Sequence, residues 1–150
     1  MNAAAMRKKV EAFFKRYAAT YARALAGRPG VEQAVLDAYA GYFVESSPAG
    51  VHGGKNGIVF RLMVKRGFAR YRKIGVESME VSALEVTPLD PLHAMARVTW
   101  DSRTRRRSDG HIVRIVFTHH YFLTLADRKA RIFAYVATDE QAIMKKHGLL

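Results

Sequence analysis

Hydrophobic residues recur at helical spacing in the first half of the chain and at strand spacing in the second. In the first half, apolar positions follow the i, i+3, i+4 rule, which predicts helices at about residues 4–26, 31–40 and 57–73. Asn56 is the predicted N-cap of the third helix. The longest apolar stripe, on the first helix, contains Val10, Phe13, Phe14, Tyr17, Tyr21 and Leu25.

The chain changes to strand patterning after the second helix. Tyr42–Glu45 is predicted as a short strand, because aromatic and β-branched residues favour strands. Ser46–Gly54 is predicted as a loop from its glycine, serine and proline content. Turn sequences such as Asp109-Gly110 then indicate antiparallel hairpins. The long strands predicted from period-2 alternation are at about 77–88, 92–104, 111–125 and 129–138.

A final short helix is predicted at about residues 139–147, with Thr138 as its cap in a capping box that ends at Gln141. Helices that precede an antiparallel sheet define an α+β domain. Because long strands twist and curl, we predict a single domain over residues 1–150 that is built on a curved sheet. The curved antiparallel sheet should hold the three N-terminal helices on its concave face.

The charge of the chain is strongly positive. Lys and Arg total 25 and Asp and Glu total 13, which gives a formal net charge of +12. Such a surface attracts nucleic acid and other acidic partners non-specifically. The densest clusters are Arg7–Lys9 and Arg103–Arg107, and they fit either a solubilising surface or a contact with an acidic partner.

Several classes of protein and site are excluded. The absence of cysteine removes disulfides, iron–sulfur clusters and cysteine nucleophiles. No apolar run approaches the roughly 18 residues of a membrane span, and the N-terminus lacks the order of a secretory signal, so we expect a cytoplasmic protein without a membrane partner. His119 and His120 are adjacent on a predicted strand and point to opposite faces. We therefore expect no metal site. Because the chain also lacks a phosphate-binding glycine-rich loop, we expect no cofactor.

Two segments of the chain match a known pattern. Residues 39–48, Tyr-Ala-Gly-Tyr-Phe-Val-Glu-Ser-Ser-Pro, and residues 54–58, Gly-Lys-Asn-Gly-Ile, correspond to the second helix, the first strand and the glycine before the third helix of a known superfamily. Arg131–Phe133 and Asp139 also fit that pattern. The chain thus resembles the nuclear-transport-factor-2-like superfamily over essentially its whole length, and within it the SnoaL-like and ketosteroid-isomerase-like proteins.

The resemblance implies a conical fold with an internal pocket and a homodimer formed through the convex face of the sheet. The superfamily includes isomerases, cyclases, dehydratases and non-catalytic adaptors, so the fold assigns no single function. Ketosteroid-isomerase-like enzymes need a carboxylate base near the end of the first strand. The resemblance places Ser47 there, and serine does not accept a proton near pH 7. Glu45, two residues earlier on the same strand face, is the candidate replacement.

Strand alternation selects the side chains that can reach such a pocket. The odd positions of strand 111–125 are the more apolar and are predicted inside, which directs His119 and Tyr121 inward, where either could polarise a carbonyl. On strand 92–104 the odd face is also predicted to line the cavity, because the small apolar residues and Trp100 of the even face suit a dimer interface.

The candidate residues form two sets. The acid–base candidates are Glu45, Asp101, His119, Tyr121 and Asp139. Structural roles also fit three of these: a solvent-exposed position for Glu45, a core hydrogen bond for His119, and the first turn of the last helix for Asp139. The ligand-lining candidates are Tyr17, Tyr42, Met63, Phe68, Met95, Thr99, Phe117, Phe133 and Tyr135.

Two functions follow from these features. The first is a protein that binds a small apolar or aromatic molecule, with cofactor-free acid–base catalysis of the isomerase, cyclase or dehydratase type. The second is a non-catalytic dimeric interaction module whose basic surface meets an acidic partner or nucleic acid. The aromatic inner faces favour the first function and the net charge favours the second.

Overall fold

The computed structural model describes residues 1–150 as four helices and six strands. The predicted α+β class, with N-terminal helices against one curved sheet, is confirmed. The helices are α1 (Ala3–Leu25), α2 (Val31–Asp37), α3 (Ile58–Ile74) and α4 (Glu140–Lys146). The strands are β1 (Tyr39–Ser47), β2 (Gly50–Lys55), β3 (Val76–Asp90), β4 (His93–Arg105), β5 (Ile112–Thr124) and β6 (Arg131–Val136).

The six strands form one sheet in the order β2-β1-β6-β5-β4-β3. Antiparallel pairings join β3 to β4, β4 to β5 and β5 to β6, as the turn sequences predict. The sheet is mixed rather than wholly antiparallel, because β1 and β6 run parallel. Turn sequences indicate only how consecutive strands pair. They could not predict this pairing, because β1 and β6 are separated by most of the chain.

The segment after β1 is a strand and not the predicted loop. β1 extends over Tyr39–Ser47 and pairs with β2, Gly50–Lys55, in a register that sets Val44 opposite Gly53. A Cβ atom at Gly53 would collide with the carbonyl oxygen of Phe43, so this close approach requires glycine. Gly53, one of the glycines that suggested a loop, is therefore a residue that lets the two strands pair closely.

The core lies between α1 and the inner face of the sheet, which is the face that carries Trp100. The indole is 1% exposed and lies against Tyr17 and Tyr21, at ring-centroid distances of 6.2 and 5.3 Å. Its Nε1 donates a hydrogen bond to the Tyr121 hydroxyl at 3.1 Å. The buried stripe of α1 consists of Met6, Val10, Phe13, Phe14, Tyr17, Thr20 and Ala24.

The two faces of β4 are the reverse of the prediction. Its even positions from Ala94 to Trp100 are buried in the core. On the outer face, Asp101 forms an ion pair with Arg114 of β5 at 2.8 Å. The prediction treated the indole as an interface residue, whereas burial under α1 removes its large apolar surface from water. The residues wrongly predicted to line the cavity, and placed on the outer face instead, are Met95, Thr99 and Asp101.

A β-bulge in β6 makes the prediction for Phe133 wrong as well. The register between β5 and β6 shifts after Phe122 and leaves Phe133 without a paired residue. Ile132 therefore turns into the core, while Phe133 lies on the outer face with its ring centroid 6.3 Å from that of Phe122. Beyond the bulge the alternation resumes, and Tyr135 points inward.

Asn56 fixes the start of α3 in a different way from the one predicted. The N-cap position is Gly57, which makes no side-chain cap. The side-chain amide of Asn56 instead donates hydrogen bonds to the carbonyl oxygens of Leu36 at 2.6 Å and Tyr39 at 3.1 Å. These bonds tie the start of α3 to the end of α2 and the start of β1.

Three arginines of the Arg103–Arg107 cluster are bound within the fold. Arg107 donates hydrogen bonds to two carbonyl oxygens at the C-terminal end of α3. Arg106 donates a hydrogen bond to the His147 carbonyl oxygen at the end of α4. Arg105 forms an ion pair at 2.7 Å with Glu77 of β3. These hydrogen bonds hold two helix ends against the β4–β5 turn, so the cluster is largely structural.

Gly75, between α3 and β3, provides a test of this junction. Its φ of 106° disfavours any side chain, and an added Cβ would collide with the carbonyl oxygen of Arg105. We expect Gly75→Ala to lower the free energy of unfolding by about 1–3 kcal/mol in urea denaturation. The control is Gly27→Ala, where φ is also positive but no atom lies within 4 Å of the added Cβ. An equal loss in both variants would contradict a role for the collision.

Candidate functional site

A cleft of about 1010 Å³ opens between α3 and the part of the sheet formed by β1, β2 and β6. Its volume is close to the upper end of the 300–1,000 Å³ or so that small-molecule sites occupy. α1, α2 and α4 complete its walls. Apart from tyrosines, the large apolar side chains of these walls are Val35, Phe43, Val59, Phe60, Met63, Val64, Phe68, Ile74 and Met144.

Glu45 lines this cleft at the end of β1. It lies two residues after the buried Phe43 and therefore shares the inner face of the strand. Tyr135, paired with Glu45 across the parallel β1–β6 register, donates its hydroxyl proton to Oε2 at 2.6 Å. The Oε1 atom has no hydrogen-bond partner in the chain. One carboxylate oxygen is thus held in place and the other can accept a proton or a hydrogen bond.

Glu140, the first residue of α4, is a second carboxylate in the cleft. The Tyr71 hydroxyl from α3 donates a hydrogen bond to its Oε1 at 2.6 Å. Burial raises the pKa of Glu140, and the charge of Glu45 adds to the rise, whereas Tyr71 and Arg70 oppose it.

Asp139, the acidic residue predicted from the sequence to take part in acid–base chemistry, directly precedes Glu140 and has a structural role. Its Oδ1 accepts a hydrogen bond from the Ala142 N–H at 3.0 Å and caps α4, so Thr138 is not the cap. Asp139 does not line the cleft, whereas the adjacent Glu140 does. The sequence contained a signal for this difference. The carboxylate of an N-cap residue such as Asp139 bonds to the backbone of its own helix, whereas the side chain of the next residue, Glu140, is free to face the cleft.

Neither cleft carboxylate has a cationic partner, although the chain contains 25 Lys and Arg residues. Glu45 and Glu140 are bound by phenol hydroxyls instead. One oxygen of each carboxylate is thus left available to a ligand donor. Six other acidic residues pair with arginine or histidine side chains at the surface: Glu77, Glu85, Asp90, Asp101, Asp109 and Asp127.

Tyrosine is the most frequent polar residue of the cleft and its surroundings. Burial raises the pKa of six of the seven, so these phenols remain protonated and serve as hydrogen-bond donors at neutral pH. The hydroxyls of Tyr17 and Tyr39 lie 2.8 Å apart. The six are Tyr17, Tyr21, Tyr39, Tyr71, Tyr121 and Tyr135.

His119 and Tyr121 lie on the inner face of β5 but do not line the cleft. The Tyr121 hydroxyl lies 3.3 Å from His119 Nδ1 and also accepts the Trp100 hydrogen bond. His119 Nε2 is buried without a partner. Burial lowers the pKa of His119 to about 4, with His120 acting in the same direction, so the ring is neutral at pH 7. His119 and Tyr121 both pack against Tyr135, whose ring centroid lies 5.8 Å from that of Tyr121 in a stacked arrangement.

The other sequence-selected residues divide between the cleft and positions outside it. Tyr42 lies on the outer face and is 67% exposed, because it alternates with the buried Phe43. Phe117 points inward but is buried under α4 beside Met144, in a void of about 10 Å³. The structure brings together around the cleft the selected residues Tyr17, Glu45, Met63, Phe68 and Tyr135.

The reactive groups that line the cleft are the two carboxylates, five phenols, and the side chains of His52, Lys55 and Arg70. Nowhere in the chain do three or more His, Asp and Glu side chains converge in a way that could hold a metal ion. None of the four helices combines the length and the apolar character needed to cross a bilayer.

A curved sheet around a long N-terminal helix, with a cleft beside α3, defines the class of cone-shaped proteins related to nuclear transport factor 2. An NTF-2 like protein of unknown function from Shewanella oneidensis aligns with a TM-score of 0.66 at 14% identity, over 89% of this chain and 98% of that one. A ketosteroid isomerase-like protein from Erwinia carotovora atroseptica aligns with a TM-score of 0.63 at 16% identity, over 87% of this chain and 93% of that one. An NTF2-like protein with a cystatin-like fold from Novosphingobium aromaticivorans aligns with a TM-score of 0.66 at 14% identity, over 96% of this chain and 88% of that one. These likenesses show the fold.

The sequence also matches a family model. Residues 7–140 match the model described as NTF2-like protein (DUF6841), and the chain therefore belongs to this NTF2-like family. The resemblance carried by residues 39–48 and 54–58 is confirmed. A search of curated proteins finds no match to the chain.

Proposed function

We propose that the cleft binds a compact apolar or aromatic small molecule that carries at least one hydrogen-bond donor. The observation that carries this proposal is the pair of carboxylates, Glu45 and Glu140, each held by a phenol hydroxyl in a largely apolar cleft and neither paired with a cation. Burial of the ligand against the apolar walls supplies affinity, and the free carboxylate oxygens orient its donors.

The same carboxylates support cofactor-free acid–base chemistry of the isomerase, cyclase or dehydratase type. Glu45 is the expected proton acceptor, since one of its oxygens has no partner. Glu140 is the expected proton donor, since burial raises its pKa above the ordinary value of a carboxyl group. Asp101 and Asp139 are no longer candidates for these roles, because neither lines the cleft.

A homodimer through the outer face of the sheet is compatible with this function. That face carries exposed apolar side chains at Val44, Val116 and Val136. The cleft opens on the opposite side of the sheet, so pairing through the outer face leaves it accessible. Native mass spectrometry reads the oligomeric state directly.

Two measurements test the ligand proposal. Native mass spectrometry followed by denaturation detects a small molecule retained by the purified protein. Equilibrium dialysis with 2-naphthol, an aromatic ring with one hydroxyl donor, tests the chemistry of the cleft directly. We expect 2-naphthol to bind more tightly than 2-methylnaphthalene, which has a similar shape but offers no donor to the free carboxylate oxygens. Failure to find either a retained compound or naphthol binding would contradict the proposal.

Gly67 offers a way to fill the cleft without disturbing the fold. It lies on α3 and lines the cleft, and an added Cβ meets no atom within 4 Å. We expect Gly67→Leu to weaken 2-naphthol binding at least tenfold, by roughly 1.4 kcal/mol or more. The same variant should gain about 0.5–1 kcal/mol of stability, because leucine is the better helix former.

Gly67→Ala is the matched control for this variant. It should gain similar stability while adding only a methyl group, so 2-naphthol should bind to it nearly as it does to the wild type. Wild-type binding by both variants would place the ligand elsewhere.

The second function considered from the sequence, an interaction module for an acidic partner or nucleic acid, loses part of its basis. Arg105, Arg106 and Arg107 make their hydrogen bonds within the chain. Another concentration of positive charge lies along α3, where it accompanies exposed apolar residues.

A further inference from the structure

α3 has an outward apolar face that the cleft does not explain. Its inward stripe contains Phe60, Val64 and Phe68. At about 100° per residue, Ile58 and Leu62 lie roughly 40° apart on the opposite side of the helix. They are 80% and 47% exposed, although a helix that only covers a core keeps its outward positions polar. Grouped exposed apolar residues of this kind mark interaction surfaces.

The apolar face continues to the mouth of the cleft. Val59 and Met63 are 71% and 63% exposed, and both also line the cleft. Val59 is spaced i,i+3 from Leu62 and i,i+4 from Met63, and Ile58 is spaced i,i+4 from Leu62, so the four side chains form a continuous band over the first half of α3.

The same helix is strongly basic. α3 contains no acidic residue, so none of its positive charges is compensated within the helix. Lys65 and Arg66 are exposed one turn beyond the apolar band. The basic residues of α3 are Arg61, Lys65, Arg66, Arg70, Arg72 and Lys73.

We propose that the α3 face, defined by Ile58, Val59, Leu62, Met63, Lys65 and Arg66, docks on the surface of an anionic lipid bilayer. A helix at a membrane interface buries apolar side chains at the boundary between headgroups and acyl chains, while adjacent Lys and Arg bind anionic headgroups. The apolar band and its basic flank provide both interactions.

Other occupants of the α3 face fit less well. A second copy of the chain would bring two helices of like charge together, which is unfavourable. A nucleic acid would bind the basic flank through its phosphates but would leave Ile58 and Leu62 in water. An anionic bilayer satisfies both the charge and the apolar band.

Docking of this kind requires no membrane-spanning segment. The sequence-based expectation of no membrane partner rested on the absence of a span, and surface attachment is a separate property. Because Val59 and Met63 belong to both surfaces, the mouth of the cleft would lie beside the bilayer, where apolar ligands concentrate. This last consequence rests on the proposed function, whereas the docking does not.

Vesicle sedimentation with the full chain tests the docking surface. We expect binding to vesicles of phosphatidylcholine with about 30% phosphatidylserine and no binding to phosphatidylcholine alone. The double variant Ile58→Asp/Leu62→Asp should weaken binding at least tenfold. The double variant Lys65→Gln/Arg66→Gln should weaken it roughly fivefold for each charge removed.

The matched control is Leu89→Asp/Leu92→Asp, which adds the same two charges at exposed positions, one near the end of β3 and one in the β3–β4 turn, and should bind like the wild type. Circular dichroism verifies that each variant is folded. Absence of wild-type binding to the anionic vesicles, or equal losses in the two aspartate variants, would overturn the proposal. Tighter binding to a single-stranded oligonucleotide that survives Ile58→Asp/Leu62→Asp would assign the surface to nucleic acid and also overturn it.

Discussion

Replacement of Trp100 by alanine is expected to lower the free energy of unfolding by about 3–5 kcal/mol. The indole is buried between β4 and α1, in ring contact with Tyr17 and Tyr21. Its removal leaves a cavity, and it also removes the donor that binds the Tyr121 hydroxyl. The loss is measured by urea denaturation followed by far-UV circular dichroism, since the variant lacks the only tryptophan.

The Trp100 prediction also tests which face of β4 is inside. Met95→Ala, on the outer face of the same strand, is the control and should cost much less, because the half-buried side chain leaves no enclosed cavity. If Met95→Ala were the more damaging of the two, the sheet faces would be assigned the wrong way round.

Acid is expected to destabilise the fold in part through His119. The pKa of His119 is lowered to about 4 in the fold, whereas the unfolded chain has the ordinary value of 6.5. Between these values the unfolded chain binds a proton that the folded chain does not, so the free energy of unfolding falls as the pH falls from about 6.5 to about 4. The difference corresponds to about 3 kcal/mol, all of which is retained above pH 6.5.

The variant His119→Phe isolates this contribution. Between pH 6.5 and pH 4, the free energy of unfolding of the wild type should fall by about 3 kcal/mol more than that of the variant. Carboxylates titrate in both proteins and cancel in the comparison. Phe117→Leu, a core change beside His119, should lower stability by the same amount at every pH. An unchanged pH dependence in His119→Phe would contradict the burial of a neutral ring.

Local patterns in the sequence predict most of the fold. Period-2 alternation and the Asp109-Gly110 turn place the hairpins from β3 to β5, because these signals depend on residues close together in the chain. Apolar stripes place α1 and α3 within a few residues of their observed bounds. The resemblance carried by residues 39–48 and 54–58 then identifies the family.

Features that depend on residues distant in sequence could not be predicted in this way. The parallel β1–β6 pair and the glycine-rich β2 depend on partners that no local pattern names. One bulge moved Phe133 to the opposite face, since a single extra residue inverts the alternation. Glu140 has no local signal beyond its place after Asp139, and only the α3–α4 contact through Tyr71 reveals it.

The central position of β6 in the sheet has a consequence for the order of folding. β6 lies between β1 and β5, and its end binds β1 through hydrogen bonds such as that from the Ala137 N–H to the Ser46 carbonyl at 2.8 Å. During synthesis, β1 must wait for a partner made much later, since Glu45 and the Tyr135 that pairs with it are 90 residues apart. Contacts this distant slow folding. A chain cut before Arg131 has two unpaired sheet edges, so such fragments should aggregate rather than persist as smaller domains.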